Sequence, residues 1–174
     1  MNARTISLIL CTVLLAACSQ SVTPPTTEPV ALSLPANSFA LVPRDTSVAV
    51  GETVTVDLVA TDVQAVFGVE IDVTYTDTVV SFASVSEGTF LNENGAVETL
   101  KLDVLNTKTP GLIRDFVAVK LAGDGTSGSG TLATYTFTAN APGTATLALA
   151  DVLVANKNSE KLSVTTVGAT VTVS

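Results

Sequence analysis

Histidine and tryptophan are absent from this chain of 174 residues, and it has only two cysteines. Without histidine there is no Ser-His-Asp triad, no histidine general base and no zinc site that uses histidine. Without tryptophan, the flat aromatic platform of many sugar-binding sites would depend on two tyrosines and six phenylalanines. These absences exclude common hydrolytic mechanisms and weaken a carbohydrate-binding interpretation.

Charge is also scarce, and most of it is negative. Charged residues make up 14% of the chain, with 16 acidic side chains against 8 basic ones. Nucleic-acid phosphates favour clustered Lys and Arg, so the net charge of −8 argues against a nucleic-acid partner. Hydrophobic residues make up 47% of the chain, which is enough for a packed core.

Residues 1–17 are predicted to be an export signal. Arg4 supplies a positive charge, and Ile6 to Leu15 form an apolar run too short to span a bilayer as a mature helix. The run ends in Leu15-Ala16-Ala17-Cys18, which resembles a bacterial lipobox, in which the cysteine receives a diacylglyceryl group. The resemblance implies a lipid on Cys18 and a location at the cell membrane or outer membrane, outside the cytoplasm. The alternative is an ordinary signal peptide with a chance cysteine.

Lipidation at Cys18 would leave the mature chain without a disulfide, because Cys11 departs with the signal. Loss of Arg4, the one charged residue in that segment, changes the net charge from −8 to −9. Lipid rather than charge must then hold the chain at an anionic membrane. Residues 18–38 are predicted to be the lipidated cysteine and a Pro/Thr-rich linker, since four of the seven prolines lie there.

From residue 39 onward the hydrophobic period is two, which is typical of strands with one buried face. Alternation predicts strands over 53–58, 68–75, 100–104, 133–137, 145–149 and 169–173, and further strands near 46–50, 79–85, 113–121 and 162–167. Tyr75, Leu100 and Tyr135 fall on the predicted core faces. Turn residues recur about every ten residues, so we expect an all-β fold, an antiparallel β-sandwich of about nine strands.

Several segments, in order and spacing, resemble the cohesin domain, a jelly-roll sandwich that binds dockerin modules in cellulosomes. Residues 66–75 (VFGVEIDVTY) are similar to its third strand, and 128–137 (GSGTLATYTF) match most closely. The opening 48–56 and the closing 168–173 complete the resemblance, which covers residues 39–174. It implies a non-catalytic protein-binding module with no cofactor, whose partner is a dockerin-like or other secreted or envelope protein.

In cohesins the dockerin lies on one sheet face, built from the third, fifth, sixth and eighth strands. The resemblance therefore implies a partner-binding set of outward residues in this chain: Glu70, Asp72, Thr74, Lys101, Asp103, Arg114, Phe116, Ala118, Lys120, Thr146 and Ala148. The sixth strand leaves two registers open. In one, Phe116 is an exposed interface anchor. In the other it belongs to the core.

Other chemistries have weaker support in the sequence. Asp124, and Asp151 with Asn156 and Asn158, are loose calcium candidates, but Asp and Asn are ordinary turn residues, so we expect no metal site. Scattered acids in a compact sandwich offer little cleft for glycoside hydrolysis, and no catalytic residues are expected. A carbohydrate-binding or structural cell-envelope sandwich remains the alternative function, and the sheet face could also have no partner.

Overall fold

The structure is a computed structural model that describes residues 33–102 and 109–174. The predicted signal, Cys18, most of the predicted linker and Asp103 lie outside the described residues. Within the described ranges, no helix is long and apolar enough to cross a membrane.

Strands dominate the described chain, and one short 3₁₀ turn at Glu93–Gly95 interrupts them. The strands are β1 (Ser38–Pro43), β2 (Ser47–Val48), β3 (Thr53–Val66), β4 (Gly68–Tyr75), β5 (Val80–Glu87), β6 (Thr99–Leu102), β7 (Leu112–Lys120), β8 (Thr126–Ala139), β9 (Gly143–Ala155), β10 (Thr165–Val167) and β11 (Ala169–Val173). The all-β prediction is confirmed, and the described residues form eleven strands where about nine were expected.

Two sheets pack face to face. Sheet A has the strand order β10-β1-β3-β8-β5, and sheet B has the order β2-β11-β9-β4-β7-β6. The pairings are antiparallel except where the short strands β10 and β2 pair in parallel with β1 and β11. Sequence neighbours often lie in different sheets, as β4 and β5 do, which gives the jelly-roll-like sandwich that the sequence predicted.

The core lies between the two sheets and follows the alternation in the sequence. Val54, Val56 and Leu58 are at most 1% exposed, while the intervening residues of β3 are partly or fully accessible. Phe116 of sheet B and Tyr135 of sheet A meet across the interior, with ring centroids 6.1 Å apart in an edge-to-face arrangement. The predicted core position of Tyr135 is confirmed, and Tyr75 packs against Phe137 at 5.2 Å.

Candidate functional site

The outer face of sheet B carries a group of exposed apolar side chains. Leu100, Leu121 and Leu153 are 46%, 57% and 43% exposed, and they are three of the four large hydrophobic side chains that are exposed in the described ranges. Alternation places all three on this face, together with half-buried neighbours. We call this set the apolar patch: Leu100, Val117, Val119, Leu121, Leu153 and Ala155.

Pairing between four adjacent strands brings the apolar patch together. Val119 of β7 lies opposite Leu100 of β6 and Gly68 of β4. Gly68 in turn lies opposite Ala155 of β9. Leu121 extends β7, because its backbone N–H donates to the Glu98 carbonyl at 3.0 Å. The patch therefore crosses β6, β7, β4 and β9, the strands that correspond to the fifth, sixth, third and eighth of the cohesin resemblance.

A shallow groove of about 290 Å³ runs through the apolar patch. Gly68 forms part of the groove's floor. A Cβ at this position would lie 3.3 Å from a methyl group of Val119 and would fill part of the groove. Leu153 and Ala155 form one wall, and the turn that contains Lys157 forms one end.

Glu70 is the acidic residue that lines the groove. Its pairing partners are Val117 on one side and Leu153 on the other, so apolar side chains flank its carboxylate along the row. The side chain is exposed, as predicted, and it makes no hydrogen bond or ion pair with any other residue in the described ranges. A protein that covers the patch would remove water from this carboxylate, which costs free energy unless the partner supplies a counter-charge.

Lys157 lines the groove from the turn that follows β9, and its ammonium forms an ion pair with Asp124. Both side chains are largely exposed. The hydrogen bond from Lys157, and then its charge, lower the pKa of Asp124. The turn that carries Lys157 is held by Asn156, whose Oδ1 accepts the backbone N–H groups of Asn158 and Glu160 at 2.9 and 3.0 Å.

The sixth strand of the resemblance, β7, has the register in which Phe116 belongs to the core. Phe116 and Ala118 are 1% and 0% exposed, and Lys120 is 2% exposed. The inward register is stabilised because the Phe116 ring meets Tyr135, while the Lys120 ammonium bonds to Glu93 and Thr126. The expectation that Phe116, Ala118 and Lys120 face outward is therefore wrong.

The fifth strand, β6, also differs from its predicted register. Leu100 was expected in the core, but it is on the outer face, and Lys101 is half-buried beside buried Ala118 on the inner side. The Thr99 hydroxyl donates to the Glu87 carboxylate of sheet A at 2.7 Å. This bond holds Thr99, and with it Lys101 on the same side of β6, toward the interior. The predicted outward position of Lys101 is wrong, and Asp103 lies outside the described residues.

Asp72 was expected in water, but it is only 6% exposed. The pairing of both neighbouring strands is irregular beside Asp72. On one side, β9 has an extra residue near Asp151, whose φ is +42°. On the other side, β7 has an extra residue between Ile113 and Phe116. Bulges on both neighbouring strands place more chain around Asp72 than a regular ladder would.

The remaining predicted residues lie away from the groove on the same sheet. Thr146 and Arg114 are exposed, while Thr74 and Ala148 are half-buried. Thr74 lies opposite Ala148, and its hydroxyl donates to the Ala148 carbonyl at 3.4 Å. The side chains at this end of the face are polar or small, in contrast to those of the apolar patch.

The turn residues considered for calcium have other roles in the structure. Asp124 is paired with Lys157, and Asn156 is engaged by its own turn. Across residues 33–102 and 109–174, no group of three or more Cys, Asp or Glu side chains is arranged to hold a metal ion. The tyrosines and phenylalanines all lie in the described ranges, and each is buried or half-buried, so no exposed aromatic platform is present there.

Comparison with known proteins agrees with this architecture. The family model for the cohesin domain matches residues 39–173. No curated protein matches the chain.

Solved structures share the fold at low sequence identity. A type II cohesin domain from the cellulosome of Acetivibrio cellulolyticus has a TM-score of 0.64 and 17% identity, over 79% of this chain and 95% of that one. A non-cellulosomal cohesin from Archaeoglobus fulgidus has a TM-score of 0.60 and 15% identity, over 79% and 91%. A type I cohesin–dockerin complex from Clostridium thermocellum gives 0.61 and 11%, over 79% and 100%. With the family model covering residues 39–173, this chain belongs to the cohesin domain family.

Proposed function

We propose that this chain is a non-catalytic, lipid-anchored module outside the cytoplasm that binds a dockerin-like protein through the outer face of sheet B. Cohesin domains are protein-interaction modules, and similar solved structures include complexes with dockerins. A dockerin-like protein would be the same class of partner for this chain.

The observation that supports this face most strongly is the clustering of exposed leucines on it. Single exposed hydrophobic residues are ordinary, but a contiguous group is typical of a protein-interaction site. Leu100, Leu121 and Leu153 share one face of sheet B, whereas the outer face of sheet A carries mainly Thr and Ser, with Asp57, at the paired positions of β3, β8 and β5. The apolar contrast between the two faces favours sheet B.

Covering the apolar patch would supply a useful share of binding free energy. Complete burial of a leucine side chain contributes about 1.5–3 kcal/mol, and these leucines begin roughly half exposed. Three of them would contribute about 2–4 kcal/mol before the costs of association. Polar and charged contacts around Glu70 would then select the partner.

The anchoring part of the proposal is supported by the sequence of the N-terminal segment. Two or more acyl chains on Cys18 would hold the domain at a membrane, because each buried methylene contributes about 0.8 kcal/mol. The Pro/Thr-rich linker would then keep the domain away from the bilayer surface.

The test is a binding titration of the full chain, purified in detergent, against a panel of dockerin modules that includes the dockerin of the C. thermocellum complex. Insoluble cellulose and chitin form the comparison arm. We expect saturable binding to a dockerin-type module that Leu153→Asp weakens at least about 30-fold, and no retention on polysaccharide. Retention on polysaccharide alone, or dockerin binding that Leu153→Asp leaves unchanged, would refute the proposal.

A further inference from the structure

The groove in the apolar patch is lined by one acidic residue, Glu70, and by one basic residue, Lys157. Glu70 and Lys157 both line the same space of about 290 Å³, and apolar side chains separate them. A surface with two opposite charges at fixed positions can select both the composition and the direction of a bound element.

Glu70 requires a cation from any protein that covers it. Within the described part of the chain its carboxylate has no hydrogen bond or ion pair, so water is its present solvent. Apolar contacts on Val117 and Leu153 would displace that water. A basic side chain in the partner would then replace the lost solvation, and a neutral one would leave a buried, unmatched charge.

Lys157 is already paired, but its pair is easily exchanged. Asp124 and Lys157 are 85% and 54% exposed, and ion pairs this exposed contribute little to stability. The two side chains also line a second cavity of about 220 Å³, which adjoins the groove at Asn156. A carboxylate that approaches along the groove can therefore reach the Lys157 ammonium without any change in the fold.

We propose that the groove recognises a partner element whose apolar surface carries a basic side chain toward Glu70 and an acidic side chain toward Lys157, with Asp124 as the intramolecular competitor for Lys157. This inference rests on the proposed function and adds the partner's charge order to it. A second copy of this chain is a poor occupant, because two chains with a net charge of −8 repel each other.

The test is a selection from a displayed library built on a dockerin scaffold and randomised over its exposed helix faces. Parallel selections use the full chain in detergent as wild type, Glu70→Gln and Lys157→Gln. Thr138→Gln, at an exposed position on the outer face of sheet A, is the matched control. Binders selected on the wild type are then titrated against each variant and against Asp124→Asn.

We expect wild-type binders to carry one basic and one acidic side chain at a constant separation. Glu70→Gln should weaken the binding of these binders about 30-fold or more. Binders selected on the Glu70→Gln variant should show no preference for a basic side chain. Lys157→Gln should weaken the binding of wild-type binders about 2- to 5-fold, and binders selected on it should show no preference for an acidic side chain. Asp124→Asn should tighten the binding of wild-type binders by a similar factor. Thr138→Gln should change nothing.

Different failures separate the two proposals. Binders that require Leu153 but show no charge preference, and that bind Glu70→Gln and Lys157→Gln as tightly as the wild type, would overturn the charge order and leave the proposed function intact. An absence of binders, or binders indifferent to Leu153→Asp, would overturn both. Sedimentation that shows a dimer dissociated by Glu70→Gln would replace the foreign partner with a second copy.

Discussion

The ammonium of Lys120 lies 2.5 Å from a carboxylate oxygen of Glu93, although the lysine side chain is only 1% exposed and the glutamate side chain is 44% exposed. The same ammonium lies 3.0 Å from the hydroxyl of Thr126, at the start of β8. This cluster joins the end of β7 in sheet B to the 3₁₀ turn and to sheet A.

Removal of Glu93 should destabilise the fold because it leaves a buried ammonium with one neutral partner. We expect Glu93→Ala to lower the urea midpoint, and Glu93→Ala with Lys120→Met to recover most of the loss, since the apolar side chain has no charge to solvate. A double variant less stable than Glu93→Ala alone would contradict this account of the cluster.

The cluster also predicts a pH dependence in the acid range. The hydrogen bond from Lys120, and then its charge, lower the pKa of Glu93 below its usual 4.5. A carboxyl group with a lowered folded-state pKa contributes stability that is complete above pH 4.5 and is lost as the pH falls through the folded value. Denaturant unfolding should therefore show a smaller loss of stability below pH 4.5 in Glu93→Gln than in the wild type.

Tyr135→Phe should stabilise the protein. The Tyr135 hydroxyl is buried and has no hydrogen-bond partner in the described part of the chain, so its removal relieves a desolvation cost of about 1 kcal/mol or more. Burial, and then the charge of Asp72, raise the pKa of Tyr135. The unfolded chain therefore ionises first above pH 10, and wild-type stability should fall there more steeply than that of the variant. A loss of stability in Tyr135→Phe at pH 7 would show that the hydroxyl is bonded.

Phe116→Ala should act on stability rather than on binding alone. The ring is 1% exposed and meets Tyr135 across the core, so its truncation should cost about 3–5 kcal/mol. Leu153→Ala, at a position 43% exposed, should cost about 1 kcal/mol or less and should weaken partner binding instead. Equal losses of unfolding free energy in the two variants would contradict the register of β7.

Lipidation at Cys18 remains a prediction from the sequence. Wild-type chain produced in a bacterium with the lipoprotein pathway should partition into the detergent phase, and Cys18→Ser should remain in the aqueous phase. Mass spectrometry of the mature N-terminus should then show a diacylglyceryl-modified cysteine. Equal partitioning of the two proteins would refute the lipid anchor.

Sequence alternation predicted the buried face of a strand well wherever every second residue is apolar and the residues between are polar. Val54, Val56 and Leu58 alternate with Thr53, Thr55 and Asp57, so their core face is unambiguous. In β7, apolar residues occupy both parities, and a buried lysine occupies the inward one. The sequence contains no sign that Glu93 and Thr126 would solvate that lysine, because Glu93 lies 27 residues before it and Thr126 begins a strand of the opposite sheet.

The binding face was predicted at the level of strands but only partly at the level of residues. Glu70 could be assigned because its neighbours Val69 and Ile71 are apolar and it is not. Leu100 and Leu153 look like core residues in the sequence, and their exposure depends on an interstrand hydrogen bond from Thr99 and on the bulge near Asp151. Such features arise from pairing partners, which alternation within one strand does not specify.

The most direct test of the central claim is the dissociation constant of a dockerin-type partner for two matched variants of the full chain. Leu153→Asp places a charge in the apolar patch, and Thr138→Asp places the same charge at an exposed position on the outer face of sheet A. Circular dichroism first checks that both variants are folded. We then expect Leu153→Asp to raise the dissociation constant at least about 30-fold and Thr138→Asp to leave it within about 2-fold. A dissociation constant that rises for Thr138→Asp and stays unchanged for Leu153→Asp would show that the partner does not bind the outer face of sheet B.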